Sequence, residues 1–347
     1  SPDQAYEYKV VVVDVAGNTT SRTDRIFIDT ETKVSGGLDS TSDSAAIDGI
    51  TNDNTPKFSG EAEPSAIVVL EIDGKTFETV ADERGRWSIQ LNTALSDNDY
   101  PYTITATDKA GNTHDISDVI TVDTKTSVSG GLDPNSDSGS ADGLTNINKP
   151  FFSGKGEIGS TVTVTINGKD YQGLVDENNN WKIQITDALP DDGYTYQIVA
   201  LDVAGNKATL PEGTIQIDTK TQVSGGLAAG FDSGSSDNDR LTKFDSPKFS
   251  GSGEVGGTVT ITIDGRQYSA QVDSTGQWEI EGIHNLSDGK HPYEISIVDA
   301  AGNKETIKTD LTVDTTPPEF TPAKLEKDTG SKDNDMITKE GQLVFVG

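Results

Sequence analysis

Thr161-Val162-Thr163-Val164-Thr165-Ile166-Asn167-Gly168 alternates hydroxyl and apolar residues and then stops on Asn-Gly. Period-two alternation is the mark of a half-buried strand, with Val162, Val164 and Ile166 on the inner face. Asn-Gly tolerates the positive φ of a two-residue hairpin turn, so the next segment is predicted to fold back antiparallel. The same reading applies to the segments that turn at Asp73-Gly74 and Asp264-Gly265. Outward from this hairpin, Trp181-Lys182-Ile183-Gln184-Ile185, Tyr194-Thr195-Tyr196-Gln197-Ile198 and Thr214-Ile215-Gln216-Ile217 alternate again. No stretch carries a sustained apolar period of ~3.6 residues with caps. Roughly seven short strands with regular turn signals describe an antiparallel β-sandwich. Its tryptophan is expected in the core.

That unit is repeated. Ala-Gly-Asn recurs at Ala16-Gly17-Asn18, Ala110-Gly111-Asn112, Ala204-Gly205-Asn206 and Ala301-Gly302-Asn303, each preceded by Asp14, Asp108, Asp202 or Asp299. Those Asp residues stand 94, 94 and 97 residues apart, and Trp87, Trp181 and Trp278 keep the same beat. A boundary motif does too, at Ile28-Asp29-Thr30, Val122-Asp123-Thr124, Ile217-Asp218-Thr219 and Val313-Asp314-Thr315. Such a period is a whole domain and too long for a solenoid repeat. The expected fold is therefore all-β: tandem immunoglobulin-like antiparallel β-sandwich domains forming an elongated rod. Residues 29–122, 123–217 and 218–313 make complete repeats, 1–28 the C-terminal part of a preceding one and 314–347 the start of a following one. The chain opens just before a strand at Tyr6–Val13 and stops inside another at Leu343–Val346, so both ends read as cuts through a longer polypeptide.

The 347 residues carry 57 Asp+Glu against 27 Lys+Arg, a formal net charge of −30. A polyanion of this kind is not suited to nucleic acid or to anionic lipid. Zero Cys excludes disulfides, thiolate metal sites and Cys nucleophiles. No apolar run approaches the ~18 residues of a membrane span. Ser1-Pro2-Asp3-Gln4 shows neither a charged nor an apolar signal-peptide region.

The order VDTKTSVSGGLD, SDSGSADGLTN, PFFSGKGEIGSTVTVTINGK, NNNWKIQI and YQIVALDVAGN resembles the bacterial Ig-like repeats of giant surface adhesins. The resemblance covers three consecutive units and the edges of two more. It implies export by type I secretion, an extracellular or surface-retained location, a part in virulence, and attachment to host-cell glycans through the parent protein.

Between the first strand of each unit and its Phe-Ser-Gly strand lies an acidic Gly/Ser-rich loop. The copies run Asp43 to Asp48, Asp137 to Asp142, Asp232 to Asp239 and Asp328 to Asp335, with spacings of 5, 5, 7 and 7 residues. Calcium is the cation that suits them, because it takes six to eight oxygens in irregular geometry and accepts backbone carbonyls. Mg²⁺ demands a stricter octahedron, and transition metals would want Cys or His; His114, His284 and His291 share no repeat position. A second constellation lies at the domain boundaries, where an Ig-type sandwich brings its last hairpin loop to the incoming linker. That pairs Asp108 with Asp29, Asp202 with Asp123, and Asp299 with Asp218. One junction is expected to gather Asp43, Asp48, Asp123 and Asp202, and the next Asp137, Asp142, Asp218 and Asp299. Asp232, Asp239 and Asp314 follow, with Arg240 and Lys243 weakening that copy, then Asp328 and Asp335. The same Asp residues also suit plain solvated turns.

The leading expectation is a calcium-stiffened, monomeric stalk segment; a lectin-like repeat that itself binds host glycans is the alternative. No catalysis is expected, since no recurrent His, Cys or Ser-His-Asp set is present.

Overall fold

A computed structural model describes residues 4–319, 324–326, 336, 341–342 and 344–346. Asp328 and Asp335, expected as ligands, lie outside the described residues. The chain divides into two compact units, Ser1–Asp218 and Thr219–Gly347. The first opens with a hairpin of β1 (Gln4–Val13) and β2 (Thr19–Ile28). Its first sandwich holds β3 (Val34–Leu38), β4 (Ile50–Thr51), β5 (Lys57–Ala62), β6 (Ile67–Ile72), β7 (Lys75–Val80), β8 (Arg86–Gln90), β9 (Asn98–Thr107) and β10 (Thr113–Val122). The second holds β11 (Val128–Leu132), β12 (Leu144–Thr145), β13 (Phe151–Gly156), β14 (Thr161–Ile166), β15 (Lys169–Leu174), β16 (Asn180–Gln184), β17 (Asp192–Leu201), β18 (Lys207–Thr209) and β19 (Gly213–Ile217). The second unit's sandwich runs β20 (Val223–Leu227), β21 (Leu241–Thr242), β22 (Phe249–Gly253), β23 (Thr258–Ile263), β24 (Arg266–Gln271), β25 (Gln277–Ile280), β26 (Gly289–Val298) and β27 (Lys304–Val313). No helix occurs among the described residues.

Each sandwich packs a three-stranded sheet, β3-β5-β8 in the first, against a larger one ordered β4-β10-β9-β6-β7. Each sandwich has one parallel pairing among antiparallel ones: β4 with β10, where Ile50 and Thr51 lie alongside Thr121 and Val122, and likewise β12 with β19 and β21 with β27. The acidic loop thus carries the chain from one sheet to the other. In the second sandwich Pro211, which has no N–H to give the ladder, separates β18 from β19 where the other repeats keep one continuous strand.

The alternating pattern does what it predicts. Val162, Val164 and Ile166 are buried against Phe152, Ile198 and Ile217. Asn167 and Gly168 both take positive φ, 51° and 71°. Phe152 and Tyr196 close the two sheets edge to face at 4.7 Å between ring centres, and Phe58–Tyr102 and Phe249–Tyr293 repeat the contact at 5.0 Å. Trp87, Trp181 and Trp278 are all buried, and the Trp181 indole N–H donates to the Ser129 and Lys155 carbonyls at 3.1 and 3.2 Å.

The tryptophan explains the Val-Ser-Gly-Gly-Leu strand. Gly130 and Gly154 face each other across β11 and β13, and a Cβ on Gly130 would stand 2.7 Å from the Gly154 Cα and 2.7 Å from the Trp181 ring. Gly130 also sits at φ 132°, where side chains are strained. At the opposite corner Tyr100 and Tyr194 donate to the carbonyls of Ser96 and Pro190, four residues back, at 3.0 and 2.9 Å. His291 replaces the phenol in the third repeat, with one ring nitrogen 2.7 Å from the Ser287 carbonyl and the other 2.8 Å from the Asp264 carboxylate.

Asp133 anchors the start of the second acidic loop. Burial alone would raise its carboxyl, but Lys182 at 2.9 Å and the Asn135 backbone N–H hold it down at about 2. Asp39 plays this part in the first repeat, lowered by Ser59 and Thr41, whereas Ala228 stands there in the third.

Replacing Gly154 by Ala should cost ~1–3 kcal/mol or more by forcing the two strands and the indole apart, read from urea unfolding by tryptophan fluorescence. Because the folded carboxyl of Asp133 lies below its unfolded value of ~3.9, its contribution is full above that value. It is lost as pH falls toward about 2. Asp133→Ala should therefore destabilise the second repeat by ~2 kcal/mol at pH 7, with the difference vanishing near pH 2.

Candidate metal centre

Three short segments of the first unit converge where the two sandwiches join. Asp123 follows the last residue of β10, and its backbone N–H donates to the Thr51 carbonyl at 2.9 Å, which fixes where the linker leaves the first sandwich. Asp202 follows β17 and opens the Ala-Gly-Asn loop. Glu157 lies in the turn after β13, closed by the Ser160 N–H on the Glu157 carbonyl at 3.1 Å. One carboxylate oxygen from each of Asp123, Glu157 and Asp202 falls within 4.8 Å of the others. Asp29, Glu63 and Asp108 form the same cluster at the start of the first repeat.

The Ala-Gly-Asn loop is a self-made bracket. Asp202 accepts the Asn206 backbone N–H at 2.7 Å and its side-chain amide at 2.9 Å, and that same amide donates to the Asp123 carbonyl at 2.8 Å. Gly205 supplies the positive φ, 89°, that the turn needs. Asn112 repeats this with Asp108 and the Asp29 carbonyl at 2.7 and 3.1 Å. The bracket forms even in the leading hairpin, where Asn18 donates to Asp14 at 2.8 Å through both backbone and side chain. It is therefore encoded locally. In the second unit Asn303 holds Asp299 in the same way, at 2.8 Å twice. Glu254 takes the sequence place of Glu157, and Asp218 that of Asp123.

The electrostatics ask for a cation. Burial pushes the Glu157 carboxyl up, and the charges of Asp123 and Asp202 push it further. Asp108 goes the other way: burial would raise it, but the Asn112 amide and the N–H groups of Asn112, Ala110 and Gly111 lower it. Three carboxylate oxygens gathered within 4.8 Å, one of them on a carboxyl driven toward its neutral form, fit a hard cation. Carboxylates and a nearby backbone carbonyl form the donor set that calcium accepts.

The structure places the remaining predicted residues in turns. Asp48, Asp142 and Asp239 accept the N–H groups of Ile50, Leu144 and Leu241, two residues on, at 3.0 to 3.1 Å. Asp137 accepts the Gly143 N–H at 3.1 Å. Asp43 accepts from Gly49 at 3.5 Å and Asp232 from Arg240 at 3.1 Å, and each keeps its other oxygen buried without a hydrogen bond. Asp314 is exposed and accepts from Thr316 at 3.2 Å. None of these joins the three-carboxylate clusters among the described residues. Asp97 instead steadies the linker, accepting the Thr124 hydroxyl at 2.7 Å, and Asp288 does the same for Thr315 at 2.6 Å.

Glu63, Glu157 and Glu254 are the residues that sequence reasoning passed over. Their signal was present: each stands five residues after the Phe of its Phe-Ser-Gly motif, at Phe58, Phe152 and Phe249.

A family model described as bacterial Ig-like domain matches the chain three times, over residues 31–124, 125–219 and 220–315. That family is of a structural module, and no catalytic family is indicated. No curated protein matches in sequence. Among solved structures, the chain is similar to a Ca²⁺-stabilized adhesin that helps an Antarctic bacterium reach out and bind ice. The two are 26% identical over 89% of this chain and 81% of that one, with a TM-score of 0.32. It is also similar to a structure from a 1.5-MDa bacterial ice-binding adhesin, at 22% identity over 82% and 98% of the two chains and a TM-score of 0.33. A tetra-tandem repeat in the extending region of a large adhesion protein matches at 20% identity over 90% and 82%, TM-score 0.33.

Asn206→Leu should leave the second sandwich folded but free the Asp202 carboxylate and the Asp123 carbonyl. Removing such an orienting partner should weaken calcium binding there ~10–100-fold, measured by calorimetry.

Proposed function

The chain belongs to the bacterial Ig-like domain family, and from that premise we propose that it is a calcium-binding, calcium-stiffened stalk segment of a giant bacterial surface adhesin. The observation that carries this reading is the convergence of Asp123, Glu157 and Asp202 on one interdomain linker. Asp123 belongs to the linker, Glu157 and Asp202 to the sandwich that follows it. A cation held by all three ties the linker to that sandwich and removes a hinge. Asp29, Glu63 and Asp108 serve the preceding linker in the same way, and by their sequence places Asp218, Glu254 and Asp299 serve the next. Asp314 would open a further copy.

The acidic loops are a second class of site in this reading. Asp43 with Asp48, Asp137 with Asp142, and Asp232 with Asp239 offer oxygens on Gly-containing loops. The buried, unbonded oxygens of Asp43 and Asp232 support it; Asp328 and Asp335 continue the series in sequence.

The Thr-Lys-Thr linkers and Gly-Gly-Leu strands resemble those of SiiE, the giant non-fimbrial adhesin of Salmonella. The parent protein would accordingly leave the cell by type I secretion, remain at the bacterial surface, and meet host-cell glycans at a tip held out by monomeric stalks such as this one. That is a contribution to virulence through reach, with no membrane insertion and no nucleic-acid partner.

A calcium isotherm on the full chain tests the reading. Binding should be saturable, and Glu157→Gln should lower the stoichiometry by one ion while leaving the sandwiches folded. Small-angle scattering should show a narrower distribution of sizes with calcium than with chelator. Unchanged stoichiometry in Glu157→Gln, or superimposable scattering curves, overturns the calcium-stiffened reading and leaves a plain spacer.

A further inference from the structure

The junction between the first and second sandwiches has a second contact, which uses none of the three clustered carboxylates. Ser44, in the first acidic loop, donates its hydroxyl to the Ala204 carbonyl of the second sandwich. The same oxygen accepts the Asn52 backbone N–H at 3.0 Å, so the hydroxyl proton is aimed across the junction by its own loop. A Cβ built on Gly205 would meet the Asn52 side-chain amide at 3.5 Å and the Ala45 methyl at 3.7 Å. Ala204 is 0% exposed. Ala110, its counterpart in the first sandwich, is exposed. The two alanines share one sequence motif and one local turn, and they differ in having an acidic loop seated on them.

We propose that the acidic loop of the first repeat is a metal-independent latch that docks on the Ala-Gly tip of the next repeat's Ala-Gly-Asn loop. The small Ala204 and Gly205 open a shallow seat, the turn offers the Ala204 carbonyl outward, and Ser44 brings the matching donor. The loop's other end is fixed to the linker, because Thr51 accepts the Asp123 N–H at 2.9 Å. The loop therefore holds both sides of the hinge, the Asp123 backbone at one end and the following sandwich at the other. The contact joins a hydroxyl to a carbonyl and uses no carboxylate, so it should persist when cations are removed, whether or not Asp43 also holds one. Ser138 and Ser233 occupy the corresponding loop positions, with Ser138 accepting the Asn146 N–H and Ser233 the Lys243 N–H, each at 2.8 Å. The proposal deepens the stalk reading by adding a second restraint at the same hinge.

The test is limited trypsin digestion of the full chain in chelator, following cleavage after Lys125, which is exposed in the linker. Ala204→Glu, which places a large anion in the seat, should speed that cleavage about fivefold, the change expected from losing roughly one net hydrogen bond. Ser44→Ala, a substitution at an exposed position, should act in the same direction, and Ala110→Glu should leave cleavage after Lys125 unchanged. If Ala204→Glu fails to fold by tryptophan fluorescence, Ser44→Ala alone decides. Equal cleavage rates for wild type and Ser44→Ala in chelator overturn the latch. The calcium isotherm reads the carboxylate cluster separately, so either proposal can fail without the other.

Discussion

Each sandwich depends on how closely two strands of its three-stranded sheet can approach at facing glycines, beneath a tryptophan in the second and third repeats. Gly130 and Gly154 lie face to face, and the indole of Trp181 covers them while donating to carbonyls on both strands. No residue with a Cβ fits on either side of that contact. The consequence reaches well beyond the core. With β11 pinned against β13, the linker ahead of β11 enters the sandwich at a fixed place, beside the turn that carries Glu157 and the loop that carries Asp202. The carboxylate cluster is a by-product of strand placement.

Charge then sets the character of the junction. At −30 the chain repels itself, and screening at physiological salt limits that repulsion to about 8 Å. It is felt mainly where carboxylates are crowded, and the fold crowds them at the linkers. The Asn residue of each Ala-Gly-Asn loop orients one Asp carboxylate, and Asn112 and Asn206 also hold the linker carbonyl beside it. The resulting strain is expressed in Glu157, whose carboxyl is driven upward by burial and by its two neighbours.

The repeats are not interchangeable copies. The first two anchor the start of the acidic loop with an Asp, half-buried Asp39 or buried Asp133, and the third has Ala228. The corner that is a phenol in Tyr100 and Tyr194 is an imidazole in His291. The last strand of the second repeat is broken at Pro211. These differences fall away from the close glycine-on-glycine approach, which every repeat keeps, although the Trp87 indole N–H makes no hydrogen bond where those of Trp181 and Trp278 do.

Much of this was legible in the sequence because it is local or periodic. Alternation around Asn167-Gly168 announced the hairpin, and the spacing of Trp and Ala-Gly-Asn announced the repetition. The Asp-to-Asn bracket spans four residues and forms even in the leading hairpin between β1 and β2. Asp123 and Asp202 were also paired correctly, since an Ig-type sandwich puts its last hairpin loop beside the entering linker. What the sequence left undecided was which acidic residues share a site. Asp43 and Asp48 form the densest acidic run, yet in the structure they fold onto their own loop's N–H groups and stay outside the cluster. Glu157 stands alone between Gly156 and Ile158, with no acidic neighbour to mark it. It becomes a site residue only because its turn is carried to the linker by β13. Local density of charge can be read along the chain; proximity between a linker, a turn and a hairpin loop some 80 residues apart is decided by how the sheets pack.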